Sequence, residues 1–503
     1  MSSWSRSLAR AGATLACAGG MLSWGGVALA AGPLGAEGSE IRTSDYTVDL
    51  YQGPVTASSR VIGLGGAYVS IAEGVEGMSQ NPAAPAVRTP WSVDSFDYDL
   101  ALGLTFPSSI RGNDFYNTGE GPTDVNAGSD GLLFLTPAAV FQDGAWGYGV
   151  SISFANFSLS RRDETADSQR NLVAQFVELD LVSAYGFLQN QLSVGVGLRN
   201  VGLIVARENP DDSSEDLFTT SGFAPMVGVL WRPEEQPFRI GATYKHRVET
   251  EVDAASQVTE NADGDLVLGP GGTDPNSIWL PRNMRQPWEV SAGLALQFGP
   301  RPMNPHWIDP GRAIAELDRV VEFRKRERKR RLEREAASKS PAELAALRAQ
   351  ADADDALDEF ELERQARGLR QALVRRARQM KRSYVMISTE LQIVGQSPSS
   401  VGVESFIQRR VARAGEKVTL SPRVGLESEV VPGWLKLRAG SYGEPSRYRA
   451  GSPRLHGTFG FDLKTFPWTV FGLFDDGTEW RVGGALDAAS RYFGWSASIG
   501  VWH

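Results

Sequence analysis

Between Gln191 and Val201 the even positions are Leu192, Val194, Val196 and Leu198, and the odd positions are Ser193, Gly195, Gly197 and Arg199. Successive side chains of a strand point to opposite faces, so this stretch has one greasy face and one that is polar or small. The same period runs through Trp288, Val290, Ala292, Leu294, Leu296 and Phe298, with Glu289, Ser291, Gly293 and Gln297 between them. It returns at Leu455, Gly457, Phe459, Phe461 and Leu463, set against Arg454, His456, Thr458, Asp462 and Lys464. Weaker copies cover residues 91–106, 132–141, 146–158, 172–188, 223–231, 238–248, 385–394, 418–430 and 434–442, and a last one runs from Phe493 to Val501. The pattern predicts roughly twelve to fourteen strands.

A soluble sandwich alternates too, so the period alone does not choose the architecture. Aromatic residues near segment ends (Trp91, Phe106, Trp146, Trp231, Trp288, Phe298, Trp434) favour a membrane barrel, which carries aromatic girdles at both interfaces. The final strand runs to the end of the sequence and is similar to the signal that hands such barrels to their insertion machinery, with His503 where a terminal aromatic is usual. Connection lengths agree: residues 142–145, 189–190, 232–237 and 431–433 are short, and 107–131, 160–170, 208–221, 253–285 and 395–415 are long and polar. Short and long links alternate, as in a barrel with short periplasmic turns and long outer loops.

Residues 300–382 break the pattern. From Gly311 to Arg382 there are 20 basic and 14 acidic residues among 72, a balance of +6, which leaves -15 for the rest of a chain whose net charge is -9. Leu362, Ala366, Leu369, Leu373 and Met380 fall on one helical face. Ser340-Pro341-Ala342-Glu343 reads as a capping box with proline at the first helical position, dividing the insertion into a helical hairpin. Strand counting places it among the short turns, hence on the periplasmic side. Arg324-Lys325-Arg326 and the run 328–331 could suggest nucleic acid, but Glu322, Glu327 and Glu333 between them favour a solvated arm with i,i+4 pairs. A periplasmic protein or the cell-wall polymer is the partner that such an arm could meet; nucleic acid is not expected.

Composition narrows the class. Of 503 residues 42% are hydrophobic, 22% are charged and 54 are glycine, an apolar share below the roughly 45–50% of globular chains. After the first thirty positions no run of about 18 apolar residues occurs, which excludes a helical span there. Arg6 and Arg10, an Ala/Gly/Leu-rich stretch and the ending Ala28-Leu29-Ala30 have the order of a secretory signal peptide at residues 1–30. Its removal would take away Cys17, the single cysteine, and with it disulfide and Cys-based zinc chemistry.

The stretch Ser59-Arg60-Val61-Ile62-Gly63-Leu64-Gly65-Gly66-Ala67-Tyr68, then Ala72-Glu73-Gly74 and Gln80-Asn81-Pro82-Ala83, resembles the N-terminal region of FadL-like and PorV-like outer-membrane barrels. Pro422 to Glu427, Leu437 to Tyr442, Glu444 to Arg447 and Arg454 to Gly460 look similar as well. Ala84-Pro85 stands where that superfamily usually has Gly-Leu, and the helical insertion is foreign to it. The resemblance implies an all-β transmembrane barrel of about fourteen antiparallel strands, with strands over 91–299 and 383–503. Residues 31–90 would fold inside as a hatch around Gly63, Gly65, Gly66, Asn81 and Pro82. It also implies passive uptake of hydrophobic or amphipathic molecules such as long-chain fatty acids. The competing class is a scaffold or secretion-associated barrel that transports nothing.

Alternation places Arg199, Arg239, Lys245, Glu289, Gln297, Glu390, Gln392, Lys436, Arg438, Arg454, His456 and Asp462 toward the interior. Such charges either pair structurally or orient an amphipathic head group. Catalytic chemistry is not expected. Gly63-x-Gly65-Gly66 lacks the lysine of a phosphate loop, the four histidines have no ligand-spaced partner, and His456 with Ser441 or Ser446 has no nucleophile elbow. No metal or cofactor is expected, and Asp475-Asp476-Gly477 reads as a turn.

Overall fold

The computed structural model describes residues 34–107, 114–119, 133–161, 170–208, 214–254, 258–260, 266–268, 278–469 and 478–502. The expected leader, residues 1–30, and the expected turn at Asp475-Asp476-Gly477 lie outside them. Fourteen antiparallel strands form one sheet: β1 (Phe96–Phe106), β2 (Leu133–Asp143), β3 (Trp146–Arg161), β4 (Arg170–Phe187), β5 (Leu192–Glu208), β6 (Ser214–Trp231), β7 (Phe238–Lys245), β8 (Glu289–Phe298), β9 (Val385–Val394), β10 (Thr419–Val431), β11 (Leu435–Glu444), β12 (Arg454–Pro467), β13 (Glu479–Ala489) and β14 (Tyr492–Val501). Each pairs with its neighbours in sequence, and β1 pairs with β14 from Ala101↔Gly500 to Phe106↔Trp495, which closes the barrel. A fifteenth strand, Asp253–Ala254, extends the rim on β6.

Burial runs opposite to that of a soluble sandwich. Along β12 exposure alternates residue by residue: Leu455 is 73% exposed, whereas His456 is 0% exposed. Leu181, Val196, Val227, Ile240, Leu294, Leu426 and Phe459 are likewise exposed, while Arg199, Arg438 and Asp462 are buried. A closed barrel leaves no edge unpaired, and a greasy outside around a polar inside suits lipid. Trp146, Trp231, Phe298 and Trp434 stand exposed at the short-turn end, and Phe106 stacks on Trp495 at the other. This is an outer-membrane type of barrel. No described helix is long and apolar enough to cross a membrane.

Several boundaries differ from the sequence-based expectation. Residues 91–95 are not strand: β1 starts at Phe96, and Trp91 instead lies under the guanidinium of Arg382 at 4.1 Å. The expected loop 208–221 is shorter because β6 begins at Ser214, and β5 continues to Glu208. Strand β13 was not expected at all; Gly483, Gly484 and Ala485 blur its alternation.

Residues 34–90 run through the barrel. Thr47–Asp49 pairs in parallel with both Asn283–Gln286 and Ser400–Gly402, a small sheet at the long-loop end. Deeper lie two short helices, α1 (Ser59–Gly63) and α2 (Gly74–Gly77), and Arg88 leaves at the short turns by donating to the carbonyl of Gly144 at 2.8 Å. A core lies between this segment and the inward side chains: Val61, Ile62, Leu64, Ile71 and Met78 pack with Val140, Val182, Met226, Met386 and Ala485. Burying each such side chain contributes about 1.5–3 kcal/mol relative to exposure.

The insertion forms α3 (Pro310–Ala336) and α4 (Pro341–Gln379), antiparallel neighbours. Asp309 caps α3, and Ser340 and Glu343 form a reciprocal box at α4. Arg324 to Asp358 (3.0 Å), Lys325 to Glu359 (2.7 Å) and Arg328 to Asp355 (2.6 Å) tie the two helices together. Leu362, Ala366, Leu369, Leu373 and Met380 make a half-buried stripe. The hairpin joins β8 to β9 at the barrel end that carries the short turns.

Candidate functional site: the lumen and its wall

Strand parity aims the charged residues inward, and the inner segment decides which of them meet. On one side a chain of ion pairs crosses from wall to segment and back. Arg239 binds Glu73 (3.1 Å), Glu73 binds Arg60 (3.1 Å), and Arg60 binds Glu427 (2.9 Å). Glu427 binds Arg438 (2.6 Å), Arg438 binds Asp462 (2.6 Å), and Arg481 joins Asp462 (3.2 Å) to Glu76 (2.8 Å). Tyr384 also donates to Glu427 at 2.6 Å. Opposite charges buried this deeply need such complete partnering, because a lone one would carry its full desolvation cost.

Glycines let the segment lie against the wall. A Cβ on Gly195, on β5, would fall 2.0 Å from the carbonyl oxygen of Pro82; on Gly228 it would meet Asn81 at 2.1 Å, and on Gly241 the Val69 carbonyl at 2.2 Å. Within the segment Gly65 and Gly66 have φ of +60° and +73°, which favour glycine, and Gly63 packs against Gly460. Asn81 donates to the carbonyls of Val69 (3.0 Å) and Val229 (3.1 Å) and accepts from Ala83 (3.0 Å), so Asn81-Pro82 is fixed to β6. The wall glycines carried no weight in the sequence reading. Their signal was the inward parity they share with the polar residues.

The twelve interior positions divide by location. Arg239, Lys436, Arg438 and Asp462 surround α1 and α2, with Lys436 over the Trp502 ring at 4.5 Å. Glu390 accepts the amides of Tyr68 and Val69, each at 2.9 Å, and Gln297 donates to the Arg301 carbonyl at 2.8 Å near the hairpin base. Arg454 pairs with Glu444 (2.7 Å) and donates to the Asp114 carbonyl (2.6 Å), toward the long-loop end. His456 bridges Asp487 and Glu444, 2.7 Å from each. Ser441 donates to the His456 carbonyl and Ser446 to that of Asn117, so neither hydroxyl addresses the imidazole. Among the described residues, no three His, Asp or Glu side chains gather as metal ligands.

Arg199, Lys245, Glu289 and Gln392 face a cavity of about 160 Å³ between the inner segment and the wall. Arg199 pairs with Glu178 at 2.9 Å, and Gln392 donates to Glu289 at 3.1 Å. The opposite wall of this chamber is small or apolar: Ala101, Phe134, Ala138 and Phe176, with Thr136 and Ser153. Outside the barrel, over the same strands, lies an apolar groove of about 360 Å³ lined by Leu100, Leu102, Pro137, Val150, Ile152 and Ile499. Ala101 and Ala138 line both spaces. Between them the β2–β3 ladder is interrupted: pairing runs to Leu135↔Phe154 and resumes at Ala138↔Ser151. Pro137, without an amide hydrogen, sits in the gap, as expected of proline inside a sheet. Thr136 and Ser153 span it with side-chain hydroxyls 3.4 Å apart.

No protein-family model matches the chain, and no curated protein matches it. Solved structures similar to it include the CymD monoaromatic hydrocarbon channel (10% identity, covering 89% of this chain and 96% of that one, TM-score 0.46). A FadL homologue of Pseudomonas aeruginosa matches at 10% identity over 90% and 99% of the two chains, with a TM-score of 0.45. The toluene transporter TodX of P. putida matches at 10% identity over 89% and 98%, with a TM-score of 0.43. Likeness at this level says nothing about cargo. That the chain is a closed barrel of fourteen membrane strands around its own N-terminal segment rests on its own geometry.

Proposed function

We propose that the protein is an outer-membrane channel for passive uptake of hydrophobic or amphipathic small molecules, which move between the internal chamber and the bilayer through the wall at Pro137. One observation carries this reading: the inner chamber and the outer apolar groove share Ala101 and Ala138 where the β2–β3 ladder is broken. An apolar solute gains nothing from a polar exit, whereas a greasy groove leads it directly to lipid. Residues 34–90 act as the hatch, and the short-turn end, where the hairpin emerges, faces the periplasm. The test is uptake of labelled toluene and of a labelled long-chain fatty acid into liposomes. Wild type should show saturable uptake of at least one of them, and Ala138→Trp, which fills the shared wall, should remove it. Uptake no greater than that of empty liposomes would overturn the channel reading.

A second reading assigns the hairpin to a periplasmic partner. Val320, Phe323, Leu357 and Phe360 are 51–66% exposed on it, more greasy surface than a purely solvated arm needs. Replacing residues 310–379 by a short turn should leave uptake intact if the arm serves docking, and should lower it if the arm serves the channel.

A further inference from the structure

The chamber is built asymmetrically, and its charges are not all used. Of its titratable side chains, Glu76 is held by Arg481 (2.8 Å), Glu178 by Arg199 (2.9 Å) and Glu289 by Gln392 (3.1 Å), while Arg423 faces Glu390 (3.5 Å) and Gln392. Two remain. Asp180 is 2% exposed and its Oδ1 has no hydrogen-bond partner, although it lines the cavity. Lys245, on the inward side of β7 and in register opposite Glu289, has no carboxylate at ion-pair distance among the described residues, and its charge acts on Glu289 and Asp180 from further away. A buried acceptor left without a donor is costly, so a ligand that supplies one gains affinity.

We propose that this chamber is a head-group site for neutral, hydroxylated single-ring molecules, the phenol class, with the ring against Phe134 and Phe176 and the hydroxyl between Asp180 and Lys245. A phenolic hydroxyl donates to a carboxyl oxygen and accepts from an ammonium at once, which matches the unbonded Asp180 Oδ1 and an ammonium without a close ion pair. A plain hydrocarbon leaves both unsatisfied. An anion meets a lining in which four carboxylates (Glu76, Glu178, Asp180, Glu289) outnumber three cations (Arg199, Lys245, Arg423). Size agrees: the cavity of about 160 Å³ is comparable to one of about 150 Å³ that accepts benzene. The proposal rests on the uptake reading for how the ligand arrives, and it narrows that reading from apolar solutes in general to one chemical class.

Equilibrium dialysis of the purified barrel in detergent micelles, near neutral pH, with p-cresol, toluene and p-toluate tests it. These three share one ring and differ in the head. Wild type should bind p-cresol at least about tenfold more tightly than toluene or p-toluate, because an unmet buried polar group rejects the analogue lacking its partner. Asp180→Val and Lys245→Met should each bring p-cresol down to the level of toluene while toluene binding persists, which also shows that the variants fold. Equal binding of cresol and toluene, preference for p-toluate, or a cresol preference that survives both substitutions would overturn the assignment. Uptake into liposomes, run in parallel, separates the two ideas. Toluene uptake without any head-group preference overturns the phenol site alone, and selective binding without uptake overturns the wall passage alone.

Discussion

The two sides of the lumen are built from the same materials and do opposite things. Where α1 meets β10 to β13, the interior charges are densely paired: Glu427 alone takes Arg60, Arg438 and Tyr384. Where the segment faces β1 to β5, the wall is Ala101, Gly103, Ala138, Ser151 and Ser153, a cavity remains, and Asp180 is unanswered. Large side chains and paired charges fix the segment to one wall. Small side chains and a proline leave room at the other. A barrel of this width cannot be filled by its own side chains, and this chain fills one side with an anchored segment and leaves a cavity at the other.

The comparison breaks most severely at Glu427. Glu427→Gln keeps the shape but takes from Arg60 and Arg438 one of the two carboxylates that each holds, and breaking a pair in such a cluster costs up to about 3–5 kcal/mol. Urea unfolding of the barrel in micelles should show the loss, with the segment becoming protease-sensitive first. Asp180→Asn, on the cavity side, should leave the unfolding midpoint nearly unchanged. Next in size are the wall glycines. Gly195→Val places a methyl-bearing carbon on the Pro82 carbonyl, overpacking of the kind that costs about 1–3 kcal/mol. Single-channel recordings should then show ionic conductance that the wild type lacks, because the displaced segment no longer seals its wall.

The smallest effect lies outside the membrane, in the hairpin, whose pairs are solvated. Arg328 and Arg324 hold the Asp358 carboxyl below its ordinary value of 3.8 by donating hydrogen bonds to it. A carboxyl lowered in the folded state adds stability above its unfolded value, and that stability is lost as pH falls through the folded one. Amide exchange of residues 310–379 should therefore quicken below about pH 4, by an amount within the range of roughly 0.2–1 kcal/mol usual for exposed pairs. The largely buried lumen network should keep its protection over the same range.

Much of the architecture is written in local pattern. Alternation at 192–198, 288–298 and 455–463 marks strands because one face must meet lipid, and Ser340 to Glu343 marks a helix start because a capping box satisfies orphan amides locally. The site is less legible for a physical reason: it depends on what lies across the lumen. Arg199, Glu390, Arg438 and His456 were placed inward by parity, yet nothing local distinguishes a paired charge such as Arg438 from an unpaired one such as Asp180. Pro137 could have been read as a ladder break from its position inside an alternating run. Gly483-Gly484 hid β13 for the converse reason, since a glycine on the lipid face looks the same as one on the inside.

The central claim is that solutes cross the wall at the β2–β3 gap, and a reversible lock tests it most directly. Cys17 is the single cysteine of the chain, so in a Cys17→Ser background Thr136→Cys with Ser153→Cys puts the only thiol pair across the gap, where the native hydroxyls stand 3.4 Å apart. Oxidised protein in liposomes should take up no labelled aromatic solute, and reduction in place should restore uptake to the wild-type rate. Uptake that proceeds unchanged with the disulfide closed would contradict passage through this wall.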